Sequence, residues 1–350
     1  NGQRAKFSAV LTNSGTIHYD GLIDAYNIND DGTANDTATS DLMLSGIGGS
    51  DVTLDMPAST FRNVMINAES SGKYDNCQVM QATNLIVAEG QIESDGGNWS
   101  VTNCTVATGG ELDAGSSTHT VAGDFTTSGG LLGASCLNTD HQATRADGSD
   151  ALRISGDRTI EFWMLHPASN RPSAGNFHKL VYKSNYGYSV DLDENGKIAG
   201  RIISGASSSV TGATAVDDGK WHHIAWVFDE STADTGHKIY IDGRLDAQAT
   251  SGAGSSGSGV VLTIGTGISG SYIDEIRFWD DVRTETEIRA NMFTEITSAG
   301  NSALVVYNCN EGTGTSSDDA IGSLDLTVNA SGWAGAGTFT YGTSTLSMAK

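Results

Sequence analysis

Ile224, Trp226 and Phe228 fall on one side of any extended chain drawn through Asp218-Gly219-Lys220-Trp221-His222-His223-Ile224-Ala225-Trp226-Val227-Phe228. A period of two with large apolar groups in register is the signature of a strand with one buried face, and it forbids a stable helix over the same residues. The pattern returns in Ile239 and Ile241, after which Asp242-Gly243 supplies a tight turn and Leu245 begins a return strand. A second hairpin runs from Tyr188-Ser189-Val190-Asp191-Leu192 through Asn195-Gly196 to Ile198 and Ile202. Asn-Gly between alternating arms is the strongest short hairpin signal.

With 44 Gly and only 3 Pro, many short strands joined by tight turns are expected along the chain. One helix is predicted: Thr284-Glu285-Thr286-Glu287 has the form of a capping box, and Ile288 with Met292 gives it a single buried stripe. The expected class is all-β, and 350 residues suffice for two domains.

The first part of the chain follows another rule. Gly90-Gln91-Ile92, Gly110-Glu111-Leu112 and Gly130-Leu131-Leu132 recur at one spacing, with Val101 and Val121, and Trp99 and His119, in the same register. A unit of roughly 20 residues has room for short strands and Gly or Asx turns but not for a helix, which is what one coil of a β-solenoid requires. Ile92, Leu112 and Leu132 are then expected one above another, the alternative being an ordinary sandwich with coincidental spacing. Gly123-Asp124-Phe125-Thr126-Thr127-Ser128-Gly129-Gly130 and the stretch from Gly337 to Leu346 resemble repeat segments of phage structural proteins and bacterial surface adhesins. The expected division is a solenoid-like stem over residues 1–135, a second domain over 136–333, and a strand within 334–350 that returns to the stem or to a neighbouring subunit.

Lys+Arg 19 against Asp+Glu 42 gives a formal charge of -23, which repels phosphate backbones and argues against nucleic acid as a partner. No apolar run reaches the length of about 18 residues that a spanning helix needs.

Three segments of the second domain resemble the laminin-G-like domains of the concanavalin-type lectin/glucanase fold: residues 218–228, Lys238-Ile239-Tyr240-Ile241-Asp242-Gly243, and Tyr272-Ile273-Asp274-Glu275-Ile276-Arg277-Phe278-Trp279. Arg158-Thr159-Ile160-Glu161-Phe162-Trp163-Met164 is similar to the family's early strand, and Asn308-Cys309-Asn310-Glu311-Gly312-Thr313-Gly314 to its late strand and turn. The resemblance implies a two-sheet jelly roll, carbohydrate binding outside a cytoplasm, and one structural calcium ion with Asp274 as the position to carry over. Cys136 and Cys309 bracket this segment, which is compatible with a cross-link between its first and last strands or with two separate buried thiols.

Glucanases on this fold need two carboxylates about 5 Å apart, displayed as Glu-x-Asp-x-x-Glu, and no such run occurs. Glu111-Leu112-Asp113 starts the pattern without its closing Glu. His222 and His223 alternate to opposite faces of one strand and read as structural or surface residues. Asp191-x-Asp193-x-Asn195-Gly196 copies half of a calcium loop but reads better as a hairpin turn, and Asn27-x-Asn29-x-Asp31-Gly32 forms a denser acidic loop. Tyr182, Tyr186, Tyr188 and Trp279 are the possible sugar platforms, since a pyranose stacks its C–H face on an aromatic plane. The expected protein is a non-enzymatic virion structural or adhesion protein of a bacteriophage, a fibre, tail-associated or decoration protein, placed on a virion or cell surface. Its expected partners are copies of itself, other surface proteins and cell-surface glycan; a bacterial surface or filament adhesin is the alternative, and a polysaccharide-degrading enzyme ranks third.

Overall fold

The structure, a computed structural model, describes residues 5–7, 11–13, 22–25, 28–30, 41–44, 51–54, 59–67, 73–76, 79–94, 98–107, 109–114, 118–127, 130–140, 142–145, 152, 156–183, 187–203, 208–232, 234–250, 261–266, 268, 270–298, 303–328, 332–334, 338–340 and 345–348. The side chains before residue 61 other than Met43, those at 73–79 and 93–94, and those after 334 lie outside that description. The acidic loop at Asn27, Asn29 and Asp31 therefore falls outside it, as does Tyr186. The chain divides into two compact units, Asn1–Leu131 with Gly335–Lys350, and Leu132–Ala334.

The first unit is built from parallel strand pairs. Along one row, Leu42 pairs with Val64 and Val64 with Leu85. Leu85 then pairs with Cys104, and Cys104 with Phe125. A second row runs Phe61, Ala82, Val101, Val121 and Met348. A third runs Tyr74, Ile92, Leu112 and Phe339. Up to Phe125 each step is one repeat of roughly 20 residues, so the sequence period becomes a spatial one. Ile92 and Leu112 do stack. Leu132, the expected third member of the row, instead begins the other unit, and Phe339 fills its rung. Thr338–Thr340 and Thr345–Met348 thus extend, after the 203 residues of the other unit, the parallel strand rows of the first unit.

Val64, Leu85, Ile92, Val101, Cys104, Leu112 and Val121 pack into one interior cluster. At one corner Asn84 Nδ2 donates to Asn63 Oδ1 at 2.7 Å, and Asn103 Nδ2 donates to Asn84 Oδ1 at 2.9 Å. The ladder closes where Asp124 N donates to Asn103 Oδ1 at 3.2 Å. Stacked amides satisfy one another at a bend where the backbone ladder is interrupted. Trp99 and His119 stack with ring centres 4.4 Å apart. The His119 ring is pinned as well, because Nε2–H donates to Ala114 O at 2.9 Å while Nδ1 accepts from Trp99 N at 3.2 Å.

The second unit is an antiparallel two-sheet sandwich. The seven-stranded sheet runs Leu137–Asn138, Tyr272–Trp279, Arg158–Pro167, Asp218–Phe228, His237–Ile241 and Arg244–Ala249, with Ala303–Tyr307 also on Tyr272–Trp279. The eight-stranded sheet runs Ser208–Ala215, Lys197–Ile202, Tyr188–Asp193, Phe177–Lys183, Leu262–Thr266, Ala143–Arg145, Leu326–Thr327 and Ser316–Ser317. Ile224, Trp226 and Phe228 are fully buried with Ile160, Phe162 and Met164 from the same sheet and Val190, Leu192, Ile198 and Ile264 from the other. Each such side chain contributes about 1.5–3 kcal/mol of burial. Both expected hairpins form, with Asp242 at φ 51, Gly243 at φ 71 and Gly196 at φ 74.

The helix is Glu285–Asn291, with the full capping box at Thr284 and Glu287. Ile288 and Met292 are buried. No helix among the described residues is long and apolar enough to cross a membrane. Cys136 and Cys309 are both buried thiols. Both are free, with Cys309 in the core between the sheets, so the cross-link considered from sequence does not form.

Candidate functional site

Phe177, Lys179 and Tyr182 share the outer face of the eight-stranded sheet. In a regular strand, Tyr182 would point away from the other two. The pairing shifts between Lys179 and Val181, so Lys179 opposes Asp191, Val181 opposes Val190 and Tyr182 opposes Ser189. Such a bulge re-aims every side chain beyond it. Leu180 and Val181 both enter the core, and Tyr182 joins Phe177 and Lys179 outside. Phe177 is one of three large apolar side chains described as exposed, at 38%.

Two cations lie over these rings. The Arg201 guanidinium is 3.6 Å from the centre of the Phe177 ring, and Lys179 Nζ is 3.5 Å from that of Tyr182. Arg201 reaches across the position of Ala199, whose methyl group leaves its path open. On the way, Arg201 Nε passes 3.4 Å from Asp191 Oδ2, which also accepts from Ser189 Oγ at 2.9 Å. Asp191 is 2% exposed, and its Oδ1 has no hydrogen-bond partner. Burial pushes the Asp191 carboxyl up, against the opposing pull of Arg201, Ser189 and Lys179. The face therefore offers an exposed aromatic ring and two cationic N–H donors, with the Asp191 carboxylate buried beneath Arg201. That set suits a polyhydroxylated ligand, whose C–H face covers the ring and whose hydroxyls answer the cations.

The other aromatic candidates lie elsewhere. Tyr188 is buried in the core with its hydroxyl donating to Leu152 O at 3.3 Å. Trp279 is buried, donating from Nε1 to Glu161 Oε1 at 3.0 Å, with Arg283 over its ring at 4.0 Å. Neither can meet a ligand. Phe177 escaped the sequence reading because Phe177-His178-Lys179-Leu180-Val181-Tyr182 gives no sign of where its alternation breaks.

A carboxylate pair does exist, on the outer face of the seven-stranded sheet. Arg277 Nη2 donates to Glu275 Oε2 at 2.8 Å, and Arg277 Nη1 lies 3.4 Å from Glu161 Oε1. The same guanidinium donates to Asn291 O at 2.9 Å and Thr294 O at 2.6 Å, and Trp163 Nε1 donates to Met292 O at 2.7 Å. These bonds tie the end of the helix to the sheet and satisfy carbonyls that a helix terminus leaves open. Glu161 and Glu275 are 0% and 1% exposed, and burial raises both carboxyls, the latter strongly. Sealed in this way, the pair has no access to a polymeric substrate.

Asp274 is buried, with Oδ1 accepting from Glu275 N at 2.9 Å and Oδ2 from Leu132 N at 3.4 Å. Among the described residues no group of three His, Cys, Asp or Glu side chains is arranged to hold a metal ion. The surroundings of Asp274 thus do not supply the six to eight oxygens of a calcium site from side chains. In the Asp191 to Gly196 stretch, Asp193 Oδ1 accepts from Asn195 N at 2.8 Å and Lys197 N at 2.9 Å, the bonding of a hairpin turn. Glu111 and Asp113 lie in the first unit, on a strand paired to Val79–Ser94.

A family model described as the concanavalin A-like lectin/glucanases superfamily matches residues 137–289, and this domain is of that type. No curated protein sequence matches the chain. Among solved structures, a candidate carbohydrate binding protein from Bacteroides ovatus is 16% identical with a TM-score of 0.45, over 56% of this chain and 57% of that one. The chain thus spans little more than half the length of that protein. Domain 4 of AbnA, an extracellular arabinanase from Geobacillus stearothermophilus solved with arabinotriose, is 17% identical with a TM-score of 0.37, over 47% of this chain and 79% of that one. The binding domain of Paraclostridial Mosquitocidal Protein 1 is 17% identical with a TM-score of 0.34, over 40% and 38%.

Proposed function

We propose that the second unit binds glycan, without catalysis, on the outer face of its eight-stranded sheet, with Phe177 and Tyr182 as ring platforms and Arg201 and Lys179 as hydroxyl partners. The observation that carries the reading is the exposed Phe177 ring with the Arg201 and Lys179 cations gathered on the same face. A concanavalin A-like domain around it supports the same reading. The parallel rows at one-coil spacing support a β-solenoid stem as the carrier of that domain. A stem that presents many weak sites together gains affinity through effective concentration, as a phage fibre, tail or decoration protein does at a host surface.

The test is retention of the full chain on an array of neutral and acidic oligosaccharides, with Phe177→Ala and Tyr182→Ala as variants. Expected is binding of millimolar to micromolar strength, reduced roughly tenfold or more by either change, with the thermal midpoint nearly unmoved. Absence of any retained glycan, or retention indifferent to both changes, removes this site. Hydrolysis of a retained polysaccharide by the purified protein removes the non-enzymatic reading. Symmetric copies of the chain on a phage particle support the virion reading, and a cell-anchored filament supports a bacterial adhesin.

A further inference from the structure

The two cations of the outer face are held chiefly by rings. The Arg201 guanidinium carbon is 3.6 Å from the centre of the Phe177 ring, and Lys179 Nζ is 3.5 Å from that of Tyr182. A ring engages a cation through its π face, so the contact fixes the position of the charge without neutralising it. Arg201 has one carboxylate neighbour, Asp191, whose Oδ2 is 3.4 Å from Nε, and its side chain is 31% exposed. Among the described residues neither Nη group of Arg201 donates a hydrogen bond, and Lys179 enters no ion pair. Their donors are left for a ligand.

The charges of this face do not cancel. Asp191 attracts both Arg201 and Lys179, so one buried carboxylate stands against two cations. The strand-paired neighbours are uncharged: Thr263 beside Tyr182, Thr266 beside Lys179, Ser189 beside Arg201 and Thr211 beside Ala199. Asp193, opposite Phe177, turns its Oδ1 into the hairpin, where Asn195 N and Lys197 N donate to it. Lys197, outward because Ile198 is in the core, balances that charge. In a chain with 42 Asp and Glu against 19 Lys and Arg, a face with surplus positive charge reverses the sign of the whole. Solubility does not call for such a reversal, whereas complementarity to an anion does.

The net charge of -23 does not forbid an anionic ligand, because a Debye length of about 8 Å at physiological salt screens distant carboxylates while these two cations act at contact. A neutral sugar laid on the face would take water from both cations and return no counter-charge. An acidic substituent returns it. The guanidinium edge matches the two oxygens of a carboxylate, and the ammonium group serves as a point charge for carboxylate or sulfate alike.

Resting on the glycan reading of this face, we infer that its ligand is an acidic polysaccharide, which meets Arg201 and Lys179 with a carboxylate or sulfate while a sugar ring packs on Phe177. The test measures binding of the full chain to three oligosaccharides of equal length: an oligogalacturonate, its carboxyl-reduced neutral form, and a sulfated derivative of that neutral form. At least one acidic ligand should bind roughly tenfold or more tighter than the neutral one. Lys179→Gln and Arg201→Gln should each lower that ratio roughly threefold or more, with the thermal midpoint nearly unmoved. If Arg201→Gln does not fold, because Asp191 has lost its nearest cation, Lys179→Gln decides. Preference for carboxylate over sulfate assigns recognition to the Arg201 fork, and equal preference for the two assigns it to charge alone. Equal affinity for all three ligands, abolished by Phe177→Ala, overturns the inference and leaves the glycan reading standing. A preference that survives both Gln variants overturns it as well, and binding of none of the three, nor of any glycan on an array, overturns both readings.

Discussion

His222 and His223 are neighbours on one strand, yet their surroundings drive their imidazoles in opposite directions. His222 Nδ1 is 3.0 Å from Asp242 Oδ2 and its Nε2 is 3.1 Å from Asp218 Oδ1. Burial lowers its proton affinity, but Asp242 and Asp218 outweigh that and hold it up at about 10. His223 points to the other face, edge-on to Trp163 with ring centres 5.2 Å apart. Burial, and then the Arg277 guanidinium, hold it down to about 3.

Two pH windows follow, with opposite signs. Folded His223 binds its proton only near pH 3 whereas an unfolded histidine does so near 6.5, so its contribution is lost as pH falls from 6.5 towards 3. His222 works the other way: its contribution is complete below pH 6.5 and is lost as pH rises towards 10. Urea midpoints across pH 4 to 10 should fall on both sides of neutrality. His222→Gln should flatten the alkaline limb and leave the acid limb in place; a variant with both limbs intact refutes the assignment.

Removing the middle of the amide ladder should loosen the first unit. Asn84→Ala deletes the donor to Asn63 Oδ1, on a residue 3% exposed, and the acceptor of Asn103 Nδ2. A cost of about 1–3 kcal/mol is expected. Hydrogen exchange should show the loss in residues 59–106 and not in residues 158–228, and equal loosening of both regions speaks against a local ladder.

Gly200 should not accept a side chain. A Cβ there would lie 2.2 Å from Trp226 Cδ1, a ring wedged in the centre of the core. Gly200→Ala is expected to cost about 1–3 kcal/mol through overpacking. Near-ultraviolet circular dichroism should register displacement of the indole, and a wild-type spectrum and midpoint would show that the core has slack.

Arg277→Met should cost about 3–5 kcal/mol, because it strands Glu161 and Glu275 in the interior and frees the carbonyls of Asn291 and Thr294. Without the guanidinium both carboxyls bind protons more readily in the folded state than in the unfolded one. The variant should therefore lose less stability at pH 5 than at pH 8. Equal losses at both pH values are the contrary outcome, measured from urea midpoints.

Local rules set what the chain alone determines. The alternation of Ile224, Trp226 and Phe228, the turns at Asn195-Gly196 and Asp242-Gly243, and the capping box at Thr284 are contacts between near neighbours, so spacing is enough to find them. The recurrence of Ile92 and Leu112 is likewise visible, because each parallel strand repeats the environment of the one it pairs with. The candidate site needed tertiary structure for a different reason. Whether Phe177, Lys179 and Tyr182 share a face depends on a bulge after Lys179, which arises because Leu180 and Val181 both find room in the core against residues far along the chain. Leu132 missed its row for a similar cause: the strand paired with Leu112 there holds Phe339, a partner that no local pattern links to it. The opposite fates of His222 and His223 were legible only as two faces of a strand. Which face carried Asp242 and Asp218, and which lay beneath Arg277 and the helix, was decided by packing, since charges act through space and not along the sequence.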